Sequence, residues 1–360
     1  MQGKLVLANG ETFAGELFGN IYPAVGEVVF NTSMTGYQEI MTDPSYCGQI
    51  IVMTYPLMGN YGVNLEDDES RRSFAKGLVV SEHCDFPSNF RSRKTMAEYL
   101  TEQGLCGIAG VDTRKLAQTL RENGTMAGFI LPLDHAGMLN FPDLPTDQVR
   151  TVSTPAAYIE GTEQTGPHVV LYDFGAKRAI AQSLVKRGCR VTVVPYNTTA
   201  AQVDALKPDG ILFSNGPGDP TSVPEVIPHI QALTTRYPIM GICLGHQLLA
   251  LAFGAKTARL PFGHRGSNHP VKDLRSGKVY ITAQNHGYVV TADSIDPEVM
   301  VVTHRHVNDK TIAGFRHARL PIISVQYHPE ACPGPRESAY LFDEFLSLIR
   351  RYPAKHLAAV

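Results

Sequence analysis

The chain has 360 residues, 43% of them hydrophobic, enough to bury one large core or two ordinary ones. Its 32 lysines and arginines face 34 aspartates and glutamates, a net charge of -2, which excludes nucleic-acid or membrane binding carried by bulk positive charge. No apolar run reaches the roughly 18 residues of a membrane helix, and MQGKLVLANGETF turns polar too early for a signal peptide. A cytoplasmic location is therefore expected, with the six scattered cysteines, none in CxxC spacing, as reduced thiols.

In chain order, KLVL and ETFAGELF flank Asn9-Gly10, a favoured hairpin dipeptide, and GEVVFN and QIIVMTY are further strand candidates. A helix is expected at Thr95, where Thr95-Met96-Ala97-Glu98 fits the capping box. A second runs from Asp112 to a stop at Asn123-Gly124. These elements predict a mixed α+β domain over residues 1–150. Pro132, Pro142, Pro145, Pro155 and Pro167 punctuate the region beyond the second helix, and no helical or strand period persists there, so residues 151–167 are expected to be a linker.

From 168 to 360 the pattern becomes β-α-β. HVVLYDF, RVTVVP, GILF and PIMGIC are strands, separated by helices AKRAIAQSLVKRG, TAAQVDALK and one around 224–236. Strands alternating with helices imply a mainly parallel sheet, an α/β domain in which ligands gather at the carboxyl ends of strands. NGPGD and GICLGHQ fall at such ends. The last third is strand-rich, and closes with a helix near 336–351 whose Phe342, Phe345, Leu346 and Ile349 share a face.

Three motifs carry chemistry. Gly241-Ile242-Cys243-Leu244-Gly245 has the form of a nucleophile elbow, a sharp strand-to-helix turn. It would put the Cys243 sulfur at a helix N-terminus, which favours a thiolate, and place the Leu244 N–H for an oxyanion hole. A buried structural cysteine would suit the same pattern. His328-Pro329-Glu330 ends a strand downstream, and in extended chain residues two apart point the same way, so Glu330 can orient the His328 imidazole. Taken alone it would be a surface turn. Ser214-Asn215-Gly216-Pro217-Gly218-Asp219-Pro220 lets backbone N–H groups approach a ligand, although an isolated Gly/Pro loop is also an ordinary turn.

In this order the three motifs resemble the class I, triad-type glutamine amidotransferases. The resemblance implies attack by the Cys243 thiolate on the glutamine carboxamide, a glutamyl thioester, and proton delivery by His328 to departing ammonia. GEVVFNTSMTGYQEIMTDPSYCGQI (26–50), GVDTRKLAQTLRENG (110–124), YDFGAKR (172–178), Gly266-Ser267-Asn268-His269-Pro270, AQNHGY (283–288) and HPEACPGP (328–335) narrow it. They are similar to the small-subunit family of carbamoyl phosphate synthetases over essentially the whole chain.

That resemblance implies glutamine contacts at Ser45, Gly216, Gly218, Leu244, Gln247, Asn285, Gly287 and Tyr288. Tyr288 stands where the family often has Phe, and Cys332 where it often has Ser; Cys332 is read as incidental. A large subunit is implied as partner, in a heterodimer or a higher oligomer, and would hold the ATP, bicarbonate and metal ions. No cofactor or metal is expected in this chain, which has no G-x-x-x-x-G-K-[ST] loop.

The remaining candidates are weighed on their residues. His304 and His306 share a face of a predicted strand and could begin a metal site, but nothing nearby in sequence completes it, and a plain surface strand is the simpler reading. His246 and His286 flank the motifs as packing or hydrogen-bonding groups. Lys177-Arg178 suits either an interface patch or a solvated first turn of a helix. Two other functions share these features, a different cysteine hydrolase such as a peptidase or thioesterase, and a non-catalytic regulatory subunit. NGPGD, QNHGY and the N-terminal domain oppose the first, and the intact Cys-His-Glu set opposes the second.

Overall fold

Asn9-Gly10 turns the chain between antiparallel strands Gln2–Leu7 and Thr12–Gly19, with Gly10 in the left-handed region at φ 88°. These strands begin a seven-stranded closed barrel. Its order continues through Cys106–Ala109, Gly77–Val79, Gln49–Met53, Ala24–Asn31 and Met126–Pro132, which returns to Gln2–Leu7. Alternate residues fall on opposite faces of these strands. Val28, Ile50, Val52 and Val79 pack with Leu116 and Leu120 of helix Thr113–Asn123. Val29, Ile51, Met53 and Leu78 pack with Met96, Tyr99 and Leu100 of helix Met96–Glu102. Thr95 closes the expected capping box on the latter helix and Asp112 caps the former. Barrel closure is set by long-range strand pairing, which the local pattern does not carry.

The structure is a computed structural model that describes residues 1–141, 143 and 145–354. It divides into two units, Met1–Thr146 and Asp147–Val360, and Pro142 lies outside the described residues. The stretch read as a linker is partly ordered into the second unit. Helix Gln148–Val152 buries Val149 and Val152, and strand Tyr158–Glu160 pairs antiparallel with Arg190–Pro195. Three residues are too few to show a strand period, and the pairing comes from the neighbouring strand.

The second unit is built on a ten-stranded sheet. Its parallel half runs Arg190–Pro195, His168–Asp173, Gly210–Phe213, Ile239–Ile242, Ile322–Val325. Apolar clusters cover its two faces. One contains Leu244, Leu248 and Leu249 of helix Leu244–Ala252; the other contains Phe342, Phe345, Leu346 and Ile349 of helix Tyr340–Arg351.

The antiparallel half adds Ile312–His317, Met300–His306, Thr257–Asp273 and Val279–Val290. Thr257–Asp273, rich in Gly, Pro and polar residues, was not legible as a strand because bulges between Arg259/His264 and Gly266/His269 break its alternation. The parallel strands Gly210–Phe213, Ile239–Ile242 and Ile322–Val325 deliver, at their carboxyl ends, residues 214–218, Cys243 and residues 326–330. Among the described residues no helix is long and apolar enough to cross a membrane.

Candidate active site

Cys243 sits between strand Ile239–Ile242 and helix Leu244–Ala252 with φ 54° and ψ -103°, a conformation that costs an L-residue of order 1–3 kcal/mol. The surrounding chain holds it there. Its N–H donates to the Val325 carbonyl at 2.9 Å, and the Gly245 N–H to the Ser214 carbonyl at 2.9 Å. The two glycines are required by space. A Cβ on Gly245 would lie 2.2 Å from the Phe213 carbonyl oxygen, and one on Gly241 would lie 2.8 Å from that of Gly245. Gly245→Ala is therefore expected to destabilise the second unit by about 1–3 kcal/mol through overpacking against backbone. Thermal denaturation of the variant checks this.

The Cys243 side chain is buried, with its thiol donating to the Asn285 carbonyl at 3.7 Å. Leu244 is the first residue of the helix, so its N–H has no acceptor within that helix. Gly216 approaches so closely that a Cβ there would meet the Phe174 carbonyl oxygen at 2.3 Å and the Leu244 side chain at 2.8 Å. Gly218 adopts φ 85°, in the left-handed region that favours glycine.

His328 and Glu330 form the expected pair: His328 Nδ1 lies 2.6 Å from Glu330 Oε1, both side chains buried. Burial disfavours the imidazolium, but the Glu330 charge and the hydrogen bonds to Cys243 and Glu330 together outweigh it and raise the His328 pKa. Among the described residues Nε2 of His328 has no conventional hydrogen-bond partner. This is the nitrogen left to serve the sulfur and a departing group.

Lys177 is the member that sequence reasoning missed. Neither an interface patch nor a solvated turn describes it: its side chain is 3% exposed and its Nζ lies 2.9 Å from Glu330 Oε1. The same ammonium donates to the carbonyl oxygens of Ala331 and Cys332, while its backbone N–H donates to Asn215 Oδ1. Burial opposes ionisation of Glu330, yet the Lys177 charge and then that of His328 hold its pKa well below the usual carboxylate range. Arg178, the next residue, is exposed. The one available signal was position, since Lys177 follows the carboxyl end of strand His168–Asp173.

Strand and helix meet as a ladder. Ser324, Gln326 and His328 alternate along one chain face, and pair respectively with His246, Gln247 and Cys243. His246 Nδ1 is 2.8 Å from Ser324 Oγ, and Gln247 Nε2 donates to Gln326 Oε1 at 2.9 Å. His246 is fully buried, which pushes its pKa down to about 3 and leaves it neutral. His286 is likewise depressed by burial, with Nδ1 2.9 Å from the Tyr288 carbonyl. Both are hydrogen-bonding groups.

Asn285, Gly287 and Tyr288 lie on strand Val279–Val290, and the Tyr288 carbonyl also accepts from Gln247 Nε2 at 2.7 Å. The structure thus brings Cys243, Leu244, Gln247, Gly216, Asn285, Tyr288, His328 and Glu330 to one end of the sheet. Ser45 belongs to the first unit, buried in the turn Pro44–Tyr46, where its N–H donates to Asp43 Oδ1 at 2.9 Å.

His304 and His306 do not come together in one cluster, although the pairing of residues 304–306 with Val271–Asp273 is regular. Both are buried, which also corrects the surface-strand reading. His304 meets Tyr327 edge-on, while His306 joins His264 and Asp309. In that second group Asp309 lies 2.7 Å from His264 Nε2 and 3.2 Å from His306 Nδ1. The two imidazoles stack at 4.3 Å and 15°. The arrangement joins both imidazoles to one carboxylate.

Two family models match the chain. Residues 170–348 match the class-I glutamine amidotransferase model, and residues 5–130 match the CPSase domain of the carbamoyl-phosphate synthase small chain. The chain is 53% identical to the carbamoyl phosphate synthase small chain of Bacillus caldolyticus, over 99% of this chain and 98% of that protein. It is 52% identical to the pyrimidine-specific small chain of Bacillus subtilis (strain 168), over 97% and 96%. Against the small chain of Clostridium perfringens (strain 13 / Type A) the identity is 51%, over 96% and 99%.

Proposed function

The chain belongs to the carbamoyl-phosphate synthase small-chain family, and from that premise we propose that it releases ammonia from glutamine for a synthase whose large subunit makes carbamoyl phosphate. The observation that carries the reading is the strained Cys243 elbow facing a buried His328–Glu330 pair. In the proposed reaction, the Cys243 sulfur forms a bond to the carboxamide carbon of glutamine. The developing oxyanion is met by N–H groups at Leu244 and the Gly216 loop. The carbon–nitrogen bond breaks as His328 gives its proton to the leaving ammonia, producing a glutamyl thioester. Water then adds its hydroxyl to the acyl carbon and its proton to His328, and glutamate departs from a regenerated thiolate. A soft nucleophile, a proton donor and an oxyanion clamp are what a poor amide leaving group requires.

Gln247, Asn285, Gly287, Tyr288 and Gly218 are assigned to holding the rest of the glutamine. The partner is a large subunit in a heterodimer or a larger assembly of it, and the place is the cytoplasm, which suits six scattered cysteines with no CxxC pair. ATP, bicarbonate and metal ions are assigned to that large subunit. The isolated chain should give no binding heat with ATP in titration calorimetry; micromolar affinity would move nucleotide chemistry onto this chain. The function itself is tested by glutamate release from glutamine in the assembled enzyme, compared with peptide and ester substrates. Turnover of the latter at a comparable rate would overturn the reading.

A further inference from the structure

The hydrogen-bond count at Gln247 restricts what it can do for a bound substrate. Its amide has two donor hydrogens and one acceptor oxygen. Nε2 donates to the Tyr288 carbonyl at 2.7 Å and to Gln326 Oε1 at 2.9 Å. The Tyr288 carbonyl can only accept, so the orientation of the Gln247 amide is not free to reverse. Gln326 must then present its oxygen, and its own Nε2, buried, has no partner among the described residues. Both Gln247 hydrogens are spent within the protein, which leaves its oxygen as the only group available to a ligand.

From this we propose that Gln326 is a positioning residue: by accepting from Gln247 it aims the Gln247 carbonyl oxygen at the α-ammonium of the bound glutamine. The inference rests on the glutaminase reading above. Gln247 stands one helical turn beyond Cys243, on the helix face toward Ser324 and Gln326. The carboxamide of the substrate is held at Cys243, so the donor that reaches Gln247 is the cation at the far end of the molecule. Gln326 is 1% exposed and follows strand Ile322–Val325, whose backbone pairing fixes it in place. A glutamine at this position supplies an acceptor without adding a charge to the buried site.

The test uses the assembled enzyme with Gln326→Met, Gln326→Glu, Gln247→Met and the double Met variant. Two probes are compared, glutamine and glutaric acid monoamide, which is glutamine without its α-amino group. Gln326→Met is expected to raise the KM for glutamine by about 10-fold or more, the size of one charge-assisted hydrogen bond, with kcat within about 3-fold. Its kcat/KM for the monoamide should stay within about 2-fold of wild type, as should synthesis from added ammonia.

Gln326→Glu, which keeps an acceptor oxygen, should recover most of the KM. The double variant should be no worse than Gln247→Met alone, because Gln326 acts through Gln247. Equal losses with glutamine and with the monoamide would mark a general packing role and overturn the proposal. So would additive losses in the double variant, or an unchanged KM in Gln326→Met. A wild-type enzyme that releases no glutamate from glutamine would instead overturn the underlying glutaminase reading.

Discussion

Cys243→Ala is expected to lower glutamine-dependent synthesis by about four orders of magnitude or more while leaving synthesis from added ammonia intact in the assembled enzyme. The size comes from the role: every atom of the covalent path passes through the sulfur, and His328 Nε2 has no conventional partner among the described residues that could replace it. The selectivity comes from the division of labour proposed above, since added ammonia bypasses the thioester. The substitution leaves the elbow glycines and the Val325 and Ser214 backbone contacts in place, so the fold should persist. Parallel assays with glutamine and with ammonium chloride decide it. Loss of both activities would mean that Cys243 supports the structure and not the chemistry.

The parts of this site legible in the sequence were those with a local cause. GxCxG announces the elbow because close backbone approach demands glycine at fixed offsets, and both approaches are present at Gly241 and Gly245. His328 and Glu330 were legible because strand alternation puts residues two apart on one side. Lys177 was not, since its partner Glu330 is far away in sequence and the residues around it read as an ordinary helix start. Burial of a charge is decided by what packs over it. The same limit applies to His304 and His306, whose burial is decided by what packs over the strand, and to Asp309, whose partner His264 is far away in sequence. In the first unit Thr95 and Asp112 declared their helices by capping, whereas closure of the barrel depends on Met126–Pro132 returning to Gln2–Leu7.

Lys177 makes the last prediction a question of charge. Among the described residues Glu330 Oε1 takes both His328 and Lys177 and its Oε2 has no partner, so the ammonium is one of two cations that compensate this fully buried carboxylate there. Lys177→Met keeps the length and apolar stem but removes that compensation, which is expected to cost about 3–5 kcal/mol, a Tm drop on the order of 10 °C. The pH dependence carries the sign. A carboxylate depressed in the folded state contributes stability above its ordinary pKa, lost as pH falls through the depressed one. Without Lys177 that depression shrinks and Glu330 takes up its proton at higher pH, which relieves the uncompensated charge. The Tm gap between wild type and variant should therefore be widest near neutral pH and narrow as pH falls. Glutamine turnover should drop by about 10–100-fold, because a Glu330 no longer held by Lys177 misplaces the His328 ring by a fraction of the distance that matters for proton transfer. Thermal melts from pH 4 to 8 read the first effect and glutamate release the second. A gap that is absent at neutral pH, or constant across that range, would show that the Lys177 charge does not hold Glu330 ionised.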